Sequence, residues 1–256
     1  MDVGLRTPLL DFFRRGEVAH DVRLLAAQGA IAPGALEQMG LLVMLTEDHD
    51  DDIRRTAEAT IGRIPADLIA GFIARSDVPT ELRDFFVARG IEPAAAPNPD
   101  TQGALIDEDA TDYGPEPETE EEKLSVLQQL SAMTVPQRVK AAMKGSREMR
   151  SVLIRDPNKL VALAVLSSPK MTEMEIESIA RMGSVSEDVL RTIAQARAWT
   201  KSYTVVLALV KNAKTPLAFS MHLLNRLTEK DLKQLSTNRN VPETLRIAAR
   251  RKIVGT

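Results

Sequence analysis

The chain has 256 residues, 44% apolar, 4% aromatic and none of them cysteine, and its formal net charge is -3. That length can bury a substantial core in one long domain or two short ones, and the absence of cysteine excludes disulfides, thiolate zinc sites and a cysteine nucleophile. The net charge conceals an asymmetry: residues 1–122 hold 10 Arg, no Lys and 26 acidic residues, and residues 123–256 hold 23 basic and 10 acidic ones, which puts the halves at -16 and +13. A split of this kind points either to a polyanion-binding half or to partial neutralisation of one half by the other.

From Met1 to Phe13 there is neither a basic n-region nor a continuous apolar h-region, and no later run approaches a membrane span. The expectation is a soluble cytoplasmic protein with no membrane partner. Apolar spacing predicts helices at 11–15 and 20–28, interrupted by Gly29 and a Pro33-Gly34 turn. A helix at 35–45 follows that is apolar on nearly every side, as one sandwiched between neighbours would be. The acidic run Asp48, Asp50, Asp51, Asp52 then leads into a helix at 53–62 and complements the positive end of its dipole. His49 lies inside this run, but the Gly-centred ligand pattern of a calcium loop is absent, so a helix start is preferred to a metal site. The next helical pair is predicted at 64–75 and 78–89, ending at Gly90.

Within this pair, Asp77-Val78-Pro79-Thr80-Glu81-Leu82-Arg83 returns near the far end as Asn240-Val241-Pro242-Glu243-Thr244-Leu245-Arg246. Five segments share the template of an apolar residue, then Arg, then a small or apolar residue four after the first, with an acidic or polar residue upstream; their arginines are Arg23, Arg54, Arg83, Arg191 and Arg246. The i, i+4 spacing puts the apolar pair on one helical face, so each copy reads as the second helix of a hairpin. An Asp followed six residues later by Arg inside Val-Arg-x-x-Ala resembles the HEAT repeat, and Ile53-Arg54-Arg55-Thr56-Ala57-Glu58-Ala59 is the best copy. Leu82-Arg83 departs from that pattern by carrying Phe86 where HEAT repeats prefer Ala. The resemblance covers both ends of the chain and implies an all-α, right-handed α-α superhelix of HEAT-like helical hairpins, bacterial in origin. It brings no catalytic residue with it.

From residue 93 to 122 the pattern fails, with five prolines, ten acidic residues and no Lys or Arg. This composition predicts an extended, disordered acidic linker, with one island, Leu105-Ile106 and Tyr113, as a candidate docking motif. Thr119-Glu120-Glu121-Glu122 has the spacing of a capping box and should open a helix running to about Met133. Three domains follow: an N-terminal helical array at 1–92, the linker at 93–122, and a basic C-terminal array at 123–256.

In that last array, helices are predicted at 136–144, 147–155 and 157–167, then hairpins at 173–182 with 186–197, 199–212 with 216–227, and 229–237 with 242–254. Thr172, Thr215 and Thr228 stand where a hydroxyl can accept an orphan N–H. Its apolar anchors Leu160, Leu190, Phe219 and Leu245 lie 30, 29 and 26 residues apart, close to the 31 and 29 between Val22, Ile53 and Leu82. The recurring arginines serve either as a column that grips an acidic partner or as ties between repeats, and the second role is favoured. Trp199 and Tyr203, four apart on one predicted helix, are expected to pack together.

Catalytic patterns are missing. His20, His49 and His222 are scattered, and there is no Gly-x-Ser-x-Gly elbow and no glycine-rich phosphate fingerprint. The expectation is a non-enzymatic scaffold or adaptor without catalytic, cofactor-binding or metal residues, whose partner is another protein. A nucleic-acid binder is the alternative, because the basic half supplies Lys140, Lys144, Arg147, Arg150, Arg250, Arg251 and Lys252 as candidate polyanion ligands. Against it, basic and aromatic residues do not interleave. The acidic linker is also expected to touch the basic array within the molecule, since a tether gives an effective concentration near the millimolar range.

Overall fold

A computed structural model describes residues 3–32, 34–106, 113 and 119–254. All regular structure among the described residues is helical: seventeen α-helices and two short 3-10 turns, with one isolated bridge, Gly34 to Gly103, and no strand. None of these helices is long and apolar enough to cross a membrane. The chain divides into two units, 1–153 with 167–169, and 154–166 with 170–256. The division falls some thirty residues beyond the expected boundary at residue 123, so residues 123–153, with six basic side chains and one acidic, join the acidic N-terminal segment.

The first unit begins with α1 (Pro8–Arg14), α2 (His20–Ala27), α3 (Ala35–Leu45), α4 (Asp51–Arg63), α5 (Ala66–Ile73) and α6 (Thr80–Val87). It ends with α7 (Glu120–Ala132), α8 (Val135–Lys144) and α9 (Arg147–Leu153). The acidic run before α4 divides its labour: Asp50 caps the helix by accepting the Asp52 N–H at 2.9 Å, while Asp48 pairs with Arg23 of α2. Thr119 opens α7 with the predicted capping box, exchanging hydrogen bonds with Glu122 at 3.0 and 3.2 Å. Helix α3 packs against α1, α2, α4 and α6, which accounts for its all-round apolarity. Met39, Leu42 and Val43 of α3, Phe72 and Ile73 of α5, and Leu82 and Phe86 of α6 form the core. Phe86, the departure from the small residue of the template, is fully buried, and covering such a ring contributes about 2–3 kcal/mol.

Residues 93–106 correct the expectation of disorder, because they form a strap over this core. The Ala94 N–H donates to the Ala70 carbonyl at 3.0 Å and the Asn98 N–H to Gly71 at 3.4 Å. Gly71 is required there, since a Cβ on it would lie 2.6 Å from the Asn98 Cβ. A 3-10 turn at Pro99–Thr101 follows, and Arg75 donates to the Thr101 carbonyl. The strap is then locked by Gln38, a polar side chain of α3 that is only 1% exposed. Its Oε1 accepts the N–H groups of Leu105 and Ile106 at 2.7 and 3.1 Å, and its Nε2 donates to the carbonyls of Gly29 and Ile106 at 2.7 and 2.6 Å. Leu105 and Ile106, expected as a motif for a partner, pack instead on the core of their own unit. The physical reason is that nine of the ten acidic residues between 93 and 122 come after residue 106, apart from Asp100, so the strap is far less charged than the segment average. Tyr113 is half-buried, and the rest of the expected linker, 107–112 and 114–118, lies outside the described residues.

The second unit contains α10 (Lys159–Leu166), α11 (Glu173–Arg181), α12 (Glu187–Gln195), α13 (Arg197–Thr200), α14 (Tyr203–Lys211), α15 (Leu217–Leu223), α16 (Glu229–Thr237) and α17 (Glu243–Val254). The first helices of successive hairpins, α11 and α14, pack together, and so do second helices, α10 with α12 and α15 with α17, which stacks the hairpins in two layers. Thr172 and Thr228 cap α11 and α16 as expected, accepting the Glu175 and Asp231 N–H groups at 3.3 Å each. Thr215 does not cap: it is buried and donates to the Leu209 carbonyl at 2.7 Å. The single helix predicted at 199–212 is broken at Lys201-Ser202, where Ser202 adopts an extended conformation as the cap of α14. Trp199 and Tyr203 therefore sit on different helices. The Tyr203 hydroxyl donates to Asp231, tying α14 to α16 and holding that carboxyl below the usual carboxylate range. Among the anchors, Leu160, Leu190 and Leu245 are buried but Phe219 is only half-buried, its neighbour Ser220 taking the inward position.

Candidate binding surface

The recurring arginines have separate fates, set by what lies within reach of each guanidinium. Arg54 donates to the Asp48 carbonyl at 2.6 Å, and Arg83 donates to the carbonyls of Ile73 and Arg75 at 2.9 and 3.0 Å, closing the end of α5. Arg191 pairs with Glu187 one turn before it, at 2.6 Å. Arg54 and Arg83 act as ties within the fold, whereas the Arg191 pair stays on the exposed face of a single helix. Arg246 departs from them: it makes no side-chain hydrogen bond or ion pair among the described residues, and its Nε is buried without an acceptor.

The candidate polyanion ligands divide between the units, with Lys140, Lys144, Arg147 and Arg150 in the first and Arg250, Arg251 and Lys252 in the second. Arg150 is not a surface cation. It is 4% exposed and donates to the Gly145 carbonyl at 3.0 Å, because α9 turns Met149, Arg150 and Leu153 inward together. Lys140 and Lys144 are half-buried and Arg147 is exposed. Lys140 lines an open polar groove of about 830 Å³ with Arg55, Arg63 and Asp52, where the Asp52 carboxylate already pairs with Arg55 at 2.5 Å. The expected contact between the acidic linker and the basic residues falls on a segment mostly outside the described residues.

The last three helices gather the remaining candidates. Arg250, Arg251 and Lys252 are exposed on α17, and Arg250 donates to the Ser236 carbonyl of α16 at 3.1 Å. A cleft of about 420 Å³ between α16 and α17 is lined by Thr237, Arg239, Glu243, Arg246, Ile247 and Arg250. A second depression, about 580 Å³ and more apolar, lies between α15 and α17; Met221, Leu224, Ala248 and Arg251 line it, and Ile247 is common to both. Leu217, Met221 and Ile247 are 40%, 37% and 40% exposed, so that apolar side chains stand beside the cations on this face. In the sequence Arg246 stands out as one of the recurring arginines, either part of a column that grips an acidic partner or, as favoured, a tie between repeats, whereas Arg239 has only polar turn residues for neighbours in the chain and does not stand out. The signal available was the density of arginine at 239, 246, 250 and 251, spaced to return to one side of a helix and its entry turn.

The scattered histidines are accounted for singly: His20 lies 3.1 Å from Asp50, His49 stacks its ring nitrogens against Arg23, and His222 is exposed on α15. Among the described residues no three histidine or carboxylate side chains are grouped so as to hold a metal ion. No protein-family model matches the chain, and neither a curated protein nor a solved structure is significantly similar to it.

Proposed function

We propose that the protein is a non-enzymatic adaptor, built of hairpins like those of HEAT-like α-solenoids, that engages another protein through the face of α15 and α17. The observation that carries this reading is the apolar set Leu217, Met221 and Ile247, left exposed where the two-layer stack of the second unit ends in open depressions. Protein partners bury such apolar centres within polar rims, whereas binding to a nucleic-acid backbone draws chiefly on cations and needs no apolar centre. The nucleic-acid alternative keeps Arg147, Arg250, Arg251 and Lys252 but loses Arg150 to the interior.

The test is affinity capture by the full chain from nuclease-treated lysate at moderate salt, run beside an Ile247→Glu variant. A partner held by the parent chain and lost by the variant is the expected result. Recovery of nuclease-sensitive material alone, with a steep salt dependence, would reverse the ranking of the two readings.

A further inference from the structure

We infer that the cleft between α16 and α17 is a carboxylate-binding site, in which Arg239, Arg246 and Arg250 receive the acidic side chains of a partner segment that also places an apolar residue against Ile247. The inference rests on the adaptor reading and adds the chemistry of the partner to it.

Three arginines line a space of about 420 Å³ with a single acidic residue, Glu243. Left to themselves, guanidinium groups so close repel one another, and folded chains ordinarily answer each with a carboxylate or a carbonyl. Here only Arg250 is so answered, by the Ser236 carbonyl at 3.1 Å. Arg239 and Arg246 have no side-chain partner among the described residues, and the Arg246 Nε is shut away from water with no acceptor. An anion entering the cleft would meet the terminal guanidinium nitrogens of Arg239 and Arg246, which have no partner of their own among the described residues, in the planar geometry that guanidinium and carboxylate share.

Carboxylates of a protein fit better than the phosphates of a nucleic acid, for three reasons on the same surface. Ile247 joins the cleft to the apolar depression lined by Met221, Leu224 and Ala248, so a ligand covering both must carry hydrocarbon next to its charge. No aromatic side chain lines either space, which removes the stacking platform that single-stranded bases use. Glu243 at the rim penalises a dense polyanion more than it penalises one or two separate carboxylates. The occupant is thus an acidic segment in which apolar and carboxylate side chains alternate along one face.

The experiment is selection of random linear peptides displayed on phage against the immobilised full chain, followed by fluorescence anisotropy of the winners and, in a parallel arm, of a single-stranded oligothymidylate. Selected peptides are expected to combine acidic with apolar residues. They should bind about tenfold more weakly to the Arg239→Gln variant, and again to Arg246→Gln, as for the loss of a charge-assisted bond. Replacing the glutamates of a winning peptide by glutamine should weaken binding to the parent chain but not to the double variant. Peptides without acidic enrichment, or affinities that neither variant alters, would overturn the carboxylate site and leave the adaptor reading standing. Binding of oligothymidylate with no peptide selected would overturn both. Arg239 is exposed, so its variant folds and carries the test by itself if Arg246→Gln does not.

Discussion

Replacing Gln38 with leucine should release the strap at 93–106 while leaving the helices beneath it in place. The side chain is buried and makes four hydrogen bonds, to the N–H groups of Leu105 and Ile106 and the carbonyls of Gly29 and Ile106, at 2.6 to 3.1 Å. At about 1 kcal/mol net for each neutral bond, the set contributes roughly 4 kcal/mol. Leucine has nearly the same volume but would leave four backbone groups without partners, each of which can be satisfied only by letting the strap lift into water. The loss is therefore local and bounded by the docking free energy of the strap. Amide hydrogen exchange gives the readout, with Leu105 and Ile106 expected to lose nearly all protection in the variant while amides of α3 and α5 lose little. Unchanged protection at Leu105 and Ile106 would mean instead that apolar contact with the core, and not the amide clamp, holds the strap.

The carboxyl of Glu37 is raised above its ordinary pKa by burial, an effect opposed by its hydrogen bond with Thr7. The stabilisation it offers is thus complete below the ordinary glutamate range and is lost as pH rises through the raised value, so Glu37→Gln should raise the melting temperature at neutral pH and not in acid, as thermal unfolding across a pH series will reveal. Arg150→Ala removes a buried charge-assisted bond to the Gly145 carbonyl, and should lower stability by about 2 kcal/mol in urea titration. Its retention on heparin should match that of the parent chain once both are folded, in contrast to Arg251→Ala.

The helices were legible where periodicity and end chemistry agreed. The ends of α3 and α16 fall where apolar spacing puts them, and α7 starts at the threonine of its capping box. Legibility failed where a signal was averaged or hidden. The strap vanished into the composition of a thirty-residue window whose charge lies almost wholly in its second part, although Gln38, the one uncharged polar side chain in a helix otherwise apolar but for Glu37, and Gly71 were traces of it. The break before α14 was masked because Trp199 and Tyr203 happen to keep helical spacing across it. Arg150 reads as part of a cationic stripe, and only packing reveals that α9 turns it inward. The binding cleft was half legible: the arginines are plain in the sequence, but which of them lacks a partner depends on contacts between helices that no spacing rule specifies.

In the second unit, carbonyls at helix ends and in the turns after them are closed by side chains supplied about thirty residues later. Asn212 donates to Ala180 and Met182 at 2.8 and 3.0 Å, Lys214 to Val185 at 3.4 Å, and Arg226 to Lys201 at 3.4 Å. For each of these carbonyls the donor lies later in the chain. As the polypeptide leaves the ribosome, each hairpin emerges with its end bare and is completed only when the following one has been made. A chain cut short between hairpins would accordingly fray from its new terminus backwards, whereas a hairpin removed from the interior could be replaced by its neighbour only if an asparagine or arginine fell in the same register.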